Sequence, residues 1–312
     1  MLPLPRAPRV AAALLTAAVA GLTAFQTTTA DAAPTRPVLT AEARAAGVTP
    51  GNATMGWRQQ SPTAGRSAAS TLPSTTAPSA TTRVGAGSAL ASARTAAVKK
   101  KAFVPKGVLG IDVSSWQRDV NWDAQVKSGK VFAYVKATEG TGYKNPYFRS
   151  QYTGSYYAGM VRGAYHFATP NTSSGKKQAQ VFAKNGGGWS PDGRTLPGVL
   201  DIEYNPYGST CYGLSKASMV AWVKSFTAEY KRLTTRDAVI YTTTDWWTRC
   251  TGNSKALSAT NPLWLARYAT TPGTLPGGWT WATFWQYTNT PLDQNRFSST
   301  YARLVVLATD AG

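Results

Sequence analysis

Short hydrophobic segments recur along the chain from residue 108 onward, and polar or turn-forming residues separate them. Several of these segments are apolar throughout rather than alternating, which is typical of β-strands that are covered on both faces. The predicted strands are 108–113, 131–137, 161–167, 196–202, 238–242, 263–267, 283–287 and 304–307. Apolar residues at helical spacing lie between some of them and predict helices at 145–158, 175–185 and 216–233.

This alternation of strands and helices predicts a parallel sheet with right-handed crossovers, most simply closed into a barrel. The segment between strands 263–267 and 283–287 is rich in proline and glycine, so it cannot form a good helix. We therefore expect an α/β fold, namely an irregular single-domain β/α barrel with reduced outer helices, preceded by a disordered tail.

The beginning of the chain, residues 1–32, has the pattern of a secretory signal peptide. Arg6 and Arg9 give a positive start, the segment 10–25 is apolar, and Ala30-Asp31-Ala32 offers small residues for cleavage. An uncleaved membrane anchor is the alternative, although the apolar segment is short and alanine-rich for a permanent span. We expect an exported protein.

Residues 33–106 differ in composition from the rest. Threonine, alanine, serine, glycine and proline dominate, Trp57 and Phe103 are the exceptional aromatic residues, and Glu42 is the only acid. Such a segment buries too little apolar surface to offset its ordering entropy, so we expect a disordered basic linker.

Residues 107–312 form the predicted folded domain. All but one of the 11 tryptophans lie there, and the length is ample for one domain with a sizeable core. The only two cysteines, Cys211 and Cys250, also lie there, and an even pair in an exported protein favours a disulfide. His166 is the only histidine, so we expect neither a metal site nor a cofactor.

The formal net charge of +19 is spread over the tail and the domain alike. Such charge suits a nucleic-acid binder or a protein that meets an anionic polymer, and no nucleic-acid motif is visible. Bacterial walls, with anionic peptides and teichoic acids, fit both the charge and export. We expect an extracellular, wall-associated monomer whose basic tail either attracts anionic wall polymers or is an inert linker.

Two carboxylates, Asp201 and Glu203, end the apolar segment that forms the fourth predicted strand. Residues two apart in a strand share a face, so these acids project together while Leu200 and Ile202 are buried behind them. Mutual repulsion raises the pKa of at least one, and a protonated acid beside an anion suits glycosidic hydrolysis. A helix cap or an ion pair is the alternative for such a triplet.

Two more acids follow predicted strand ends, where barrel enzymes place reacting groups. Asp112 lies near the end of the first strand, and Asp293 follows the seventh. We expect these carboxylates at the same rim as Asp201 and Glu203.

Six short motifs, in order across residues 107–312, resemble the muramidases of glycoside hydrolase family 25. They are Gly110-Ile-Asp-Val-Ser-Ser-Trp-Gln117, Ala137-Thr-Glu-Gly140, Gly163-Ala-Tyr-His-Phe167, Asp201-Ile-Glu203, Leu263-Trp-Leu-Ala-Arg-Tyr268 and Phe284-Trp-Gln-Tyr287. The resemblance implies a secreted lysozyme-like enzyme that cleaves the β-1,4 bond between N-acetylmuramic acid and N-acetylglucosamine in bacterial peptidoglycan. It does not cover the tail.

The resemblance also implies roles for the acids. Glu203 would be the general acid, and Asp201, Asp112 and Asp293 match the other acidic positions of the site. Asp201 would be either the nucleophile or the group that orients the substrate's acetamide. Candidate substrate contacts, in motifs near strand ends, are Tyr165, Tyr241, Trp264 and Gln286.

Other polar and aromatic residues are ambiguous. His166 alternates with Tyr165, so only one faces the site, and we favour a hydrogen-bonded core histidine. Arg267 either offsets the acidic charge or forms a surface ion pair, and Trp246-Trp247 is either a sugar platform or packing beside Cys250. A catalytically silent or chitinase-like glycan-binding protein on the same fold is the alternative function.

Overall fold

The structure is a computed structural model, and it describes residues 38–50, 53, 55–59 and 104–310. The predicted signal peptide and the parts of the predicted linker at 33–37 and 60–103 lie outside the described residues. Within the part of the chain that is described, no helix is long and apolar enough to cross a membrane.

Eight strands form a closed barrel, and one further short strand pairs with the end of one of them. The strands are β1 (Val108–Val113), β2 (Lys130–Glu139), β3 (Tyr143–Lys144), β4 (Val161–Phe167), β5 (Val199–Asp201), β6 (Val239–Thr242), β7 (Leu263–Ala266), β8 (Phe284–Thr288) and β9 (Gln294–Phe297). Neighbouring strands run in the order β1-β9-β8-β7-β6-β5-β4-β2, and pairing of β1 with β2 closes the ring. The short β3 pairs only with β2 in this sheet.

The barrel strands β1, β2 and β4 to β8 are parallel, as the alternating pattern predicts. The last strand is different, because β9 runs antiparallel to both β8 and β1. A tight connection rather than a helical crossover therefore joins β8 to β9.

The helices are few and unevenly distributed. They are α1 (Ala41–Ala45), α2 (Trp122–Lys127), α3 (Phe148–Tyr157), α4 (Gly175–Phe182), α5 (Lys216–Thr234), α6 (Thr244–Thr251) and α7 (Tyr301–Thr309). The longest, α5, begins where the Ser215 side chain accepts a hydrogen bond from the Ser218 backbone, and ends at left-handed Thr235. Residues 267–283 form no helix, which confirms the expectation of reduced outer helices.

The first seven predicted strands are confirmed, and the eighth is wrong. Residues 304–307 lie inside α7, whose first turn is capped by the Thr300 side chain. A short apolar run fits either a strand or the buried side of a helix, so periodicity could not separate the two. The actual eighth barrel strand, Gln294–Phe297, is mostly polar in sequence because only Phe297 joins the apolar core, while Asn295 on the same face belongs to a hydrogen-bonded site.

Aromatic side chains fill the barrel interior. Tyr134, Trp264 and Phe284 pack together, with ring centroids 4.8 Å apart between Tyr134 and Trp264 and 5.6 Å apart between Trp264 and Phe284. Gly163 is required beside them, because a Cβ there would lie 2.2 Å from the Tyr134 ring. This packed floor supports the polar residues at the rim above it.

The predicted disulfide is present and joins the loop before α5 to α6. Cys211 and Cys250 are bonded, with their Cα atoms 5.3 Å apart. Trp246 and Trp247 are fully buried nearby, and their indole nitrogens donate to the backbone oxygens of Thr210 and Ser254. The pair therefore packs the protein interior and does not offer a platform for a sugar.

Part of the predicted disordered linker has a defined structure, which differs from the sequence-based expectation. Residues 38–50 and 55–59 lie against the barrel and include α1, whose Thr40 side chain caps the first turn. Composition misses this because a few residues, rather than an average over the tail, provide the burial. Ala43, Met55 and Trp57 are all buried against the folded domain.

Candidate active site

The four predicted carboxylates meet at the carboxyl-terminal rim of the parallel strands. Asp112 lies near the end of β1, Asp201 ends β5, and Glu203 is two residues further along. Asp293 immediately precedes β9, which reaches the same rim from the opposite direction. All four side chains are buried.

Asp201 and Glu203 project to the site as the strand alternation predicts. Leu200 and Ile202 lie on the other side, in the core between the barrel and its helices. The Ile202 backbone donates to the Tyr241 carbonyl at 3.0 Å, so the chain stays extended after β5 ends. That extension keeps the two acids on one face.

Asp201 carries an unusually high pKa. Burial is the main cause, the nearby Glu203 is the next, and together they raise the pKa well above the ordinary value of 3.8. Neither carboxyl oxygen has a hydrogen-bond partner among the described residues. Buried polar atoms are usually paired, so this side chain is poised to receive a donor from a ligand.

The pKa of Glu203 is also raised, from 4.5 to about 8, chiefly by burial. The backbone N–H of Gly56 donates to its Oε1 at 2.6 Å, and this contact and the positive charge of Lys136 oppose the shift. Its Oε2 has no partner within the described chain. A carboxyl group with this pKa holds its proton at neutral pH and can donate it.

Asp112 is held by two side-chain amides. Its Oδ2 accepts from Gln286 Nε2 at 2.9 Å and from Asn295 Nδ2 at 2.6 Å. Burial raises its pKa from 3.8 to about 6, and these two hydrogen bonds limit the rise. The group is therefore fixed in orientation and mostly ionised at neutral pH.

Asp293 is linked to the same network through a tyrosine. The Tyr268 hydroxyl lies 3.3 Å from Asp293 Oδ1 and 3.2 Å from Gln286 Oε1. Burial, and secondarily the charge of Asp112, raises the pKa of Asp293 well above its usual range.

The predicted substrate contacts lie in or directly beneath this network. Tyr241 donates to Gln286 Oε1 at 2.7 Å, and Trp264 Nε1 donates to Asn295 Oδ1 at 3.0 Å. Tyr165 is buried inside the barrel beside Met55. Tyr241 and Trp264 therefore support the amides that hold Asp112.

Lys136 is a charged residue at the site that the sequence did not single out. It is fully buried in β2, its Nζ lies 2.6 Å from Glu139 Oε2, and its charge lowers the pKa of both Asp201 and Glu203. A lysine inside the apolar segment 131–137 was the available signal, because an unpaired lysine is almost never buried in a core.

Other ambiguous residues are resolved by their contacts. His166 faces away from the site, with its ring nitrogens 2.7 Å from Thr138 Oγ1 and 2.9 Å from Gln178 Oε1. Burial lowers its pKa to about 4, so it is a neutral core histidine, as expected. The guanidinium of Arg267 donates to the Thr271 carbonyl instead of reaching the acids.

The site holds no arrangement typical of a metal centre. Within residues 38–50, 53, 55–59 and 104–310, no group of three or more histidine, cysteine, aspartate or glutamate side chains is placed to bind a metal ion. What the geometry offers is a protonated carboxyl group beside an unpaired one, with a fixed carboxylate and a buried lysine close by.

Comparison with known proteins places this geometry in a family. Residues 111–295 match the family model for glycosyl hydrolases family 25. Lysozyme M1 of Streptomyces globisporus is 52% identical over 212 residues, which cover 65% of this chain and 72% of that protein. An N,O-diacetylmuramidase of Chalaropsis sp is 51% identical over 186 residues, covering 57% of this chain and 87% of that protein.

Solved structures agree with this match. A bacterial lysozyme from Streptomyces coelicolor aligns with a TM-score of 0.65 and 52% identity, covering 66% of this chain and 99% of that chain. A family GH25 lysozyme from Aspergillus fumigatus aligns with a TM-score of 0.64 and 51% identity, covering 65% of this chain and 99% of that chain. The matched region contains the barrel rim with its four acids, and this chain therefore belongs to glycosyl hydrolase family 25 and is a glycoside hydrolase.

Proposed function

We propose that this chain is an exported muramidase that hydrolyses the β-1,4 bond between N-acetylmuramic acid and N-acetylglucosamine in bacterial peptidoglycan. The observation that carries the proposal is the pairing of Glu203, whose pKa is about 8, with Asp201, whose two oxygens are unpartnered among the described residues. The names of the relatives, lysozyme and N,O-diacetylmuramidase, supply the substrate class.

Glu203 acts as the general acid in this proposal. Its raised pKa keeps the proton on the carboxyl group at neutral pH, and proton donation to the departing glycosidic oxygen typically contributes about 10²–10⁴-fold in rate. Lys136 limits the shift, so the same group can act as a base once its proton has left.

Asp201 orients the substrate's acetamide group, and the acetamide acts as the nucleophile. The acetamide oxygen bonds to C1 while the bond from C1 to the departing glycosidic oxygen breaks, and Glu203 gives that departing oxygen a proton. Water then attacks C1 while the bond from C1 to the acetamide oxygen breaks, and a proton of that water passes to Glu203, which regenerates both the acetamide and the acid. The unpartnered oxygens and short side chain of Asp201 suit acceptance of an acetamide N–H better than attack on carbon.

Asp112 and Asp293 complete the acidic rim, and Tyr165, Tyr241, Trp264 and Gln286 form the floor beneath the sugar. Gln286 and Asn295 fix Asp112 by hydrogen bonds, which keeps this carboxylate available to substrate hydroxyl groups. We further propose that residues 1–32 direct export and that the net positive charge favours anionic walls.

The decisive test uses residues 104–312 with peptidoglycan, scoring new reducing ends and the identity of the terminal sugar. A chain of this size should fold on its own, because the Streptomyces coelicolor lysozyme aligns over 99% of its own length with 66% of this chain. We expect muramic acid at the new ends, and a loss of about 10²-fold or more in Glu203→Gln.

Glu229→Gln is the matched control, because Glu229 lies on α5 and pairs with Arg232 instead of reaching the rim. Equal activity in Glu203→Gln would overturn the assignment of the acid, and glucosamine at the new ends would indicate another glycosidase. A covalent sugar adduct on Asp201, detected by mass spectrometry, would replace acetamide participation with a carboxylate nucleophile.

A further inference from the structure

A segment of the tail lies across the acidic rim. Residues 38–50, 53 and 55–59, which we name the cleft segment, contact the carboxyl-terminal end of the barrel. Beside the acids the cleft segment forms a turn at 55–56 and a 3-10 helix at Trp57–Gln59, and with it in place neither Asp201 nor Glu203 has exposed surface. Its contacts are made with the groups assigned to catalysis.

The backbone of the cleft segment takes the hydrogen-bonding positions of the reacting groups. The Gly56 N–H donates to Glu203 Oε1 at 2.6 Å, where the proposed acid must meet the glycosidic oxygen. The Ala53 carbonyl accepts from Lys136 Nζ at 2.5 Å. A sugar chain and the cleft segment cannot use these groups at the same time.

Two side chains anchor the cleft segment on either side of Gly56. Met55 is fully buried among the aromatic residues at the mouth of the barrel, in the cluster that includes Tyr165 and Tyr241. Trp57 is buried, and its Nε1 donates to the Tyr204 carbonyl at 2.8 Å. Removing two such large side chains from water stabilises the contact between the cleft segment and the barrel.

Gly56 fits the site in a way that other residues could not. Its φ of +70° lies in the left-handed region, and a Cβ there would lie 2.6 Å from the Tyr268 hydroxyl and 2.8 Å from Gln286 Oε1. A glycine is therefore needed both for the turn and for close approach to the network that holds Asp112. This fit is a second, independent sign that the cleft segment is built for the rim.

We propose that the cleft segment is a built-in inhibitor that keeps the chain latent until the segment is separated from the barrel. The inference rests on the proposed function, because it assumes that the rim is where peptidoglycan is cut. Residues 60–103 connect the two parts in sequence, so the inhibitor is intramolecular. A tethered segment can act at an effective concentration of about millimolar, which a free peptide at micromolar concentration does not reach.

Cutting the chain between the cleft segment and the barrel therefore activates the enzyme by dilution. The contacts within the barrel do not have to change. A released segment at micromolar concentration is about a thousandfold less concentrated than when it is tethered, so it dissociates from the site. The substrate then competes successfully for Glu203 and Lys136.

The test compares the full chain, residues 104–312 and the full chain with Gly56→Val on peptidoglycan. We expect residues 104–312 and full-chain Gly56→Val to be about tenfold or more faster than the full chain at low substrate concentration. Full-chain Gly129→Val is the matched control, because Gly129 has a φ of +86° and a Cβ there meets nothing within 4 Å. It should stay as slow as the unmodified full chain.

A synthetic peptide of residues 38–59 separates this inference from the proposed function. Calorimetry should detect its binding to residues 104–312 and no binding of the same peptide with Gly56→Val, and the peptide should raise KM without changing kcat. Absence of binding, or a full chain as fast as residues 104–312, would overturn the inference. Peptide binding to a barrel inactive on every wall would instead overturn the proposed function.

Discussion

Replacing Asp112 by asparagine should make the protein more stable at neutral pH while it removes a group from the site. Both side-chain hydrogen bonds to this carboxylate end on Oδ2, from Gln286 and Asn295, so an asparagine oxygen in the same place accepts both. The substitution keeps the shape and removes the buried charge. The variant loses the extra strength of hydrogen bonds to a charged oxygen, and it gains because no anion has to be buried.

The magnitude follows from the pKa of Asp112, which burial raises from 3.8 to about 6. Below pH 4 both the folded and unfolded states are protonated, so the aspartate costs nothing. Between pH 4 and 6 the unfolded state ionises first, so the free energy of unfolding falls as pH rises. Above pH 6 the loss is complete, at about 3 kcal/mol, since each unit of pKa corresponds to about 1.4 kcal/mol.

Urea unfolding of the full chain measures this effect, followed by tryptophan fluorescence at pH 4 and pH 7.5. Asp112→Asn should exceed the wild type in free energy of unfolding at pH 7.5, by up to about 3 kcal/mol, and the difference should shrink at pH 4. A difference that does not depend on pH, or a variant that is less stable at pH 7.5, would refute the reasoning.

Three further outcomes are expected. Lys136→Met should raise the pKa of Glu203, because the positive charge that favours its ionised form is lost. The pH profile of kcat should then shift to higher pH, and a profile that does not move would contradict this. Replacing both Cys211 and Cys250 by alanine should lower the free energy of unfolding by about 2–4 kcal/mol, because a loop spanning 39 residues opens, whereas an unchanged urea midpoint would count against it. His166→Asn should lower the free energy of unfolding at pH 7. Burial lowers the pKa of His166 to about 4, so the wild type loses stability between pH 6.5 and 4 as acid protonates the histidine of the unfolded state. The difference in free energy of unfolding between wild type and variant should therefore narrow over that pH range. A constant deficit in urea unfolding across that pH range would show that His166 is not held neutral.

The parallel part of the fold was predictable because its strands are apolar on both faces. The antiparallel strand β9 was not, since its Gln-Asn-Arg-Phe sequence carries no hydrophobic pattern. Asn295 lies two residues after Asp293, so both side chains point to the site. A strand that supplies polar groups to a site loses the hydrophobic pattern by which strands are recognised.

The candidate site was predictable where chemistry is local in sequence. Asp201 and Glu203 are two residues apart, and their shared face follows from strand geometry alone. The contacts of Asp112 with Gln286 and Asn295, and the approach of Gly56 to Glu203, join positions far apart in the chain. A single sequence contains no rule that brings such positions together, because tertiary packing decides them.

The reversed direction of β9 has a consequence for how this rim can be remodelled. The parallel strands deliver Asp112 and Asp201 at the exits of their strands, so moving either acid means shifting a strand that the crossover helices hold in register. Asp293 arrives instead at the entrance of β9, on the connection 289–293. Lengthening or shortening that connection would move Asp293 while the barrel strands kept their places. The range of glycans that the site accepts can therefore change through this one loop.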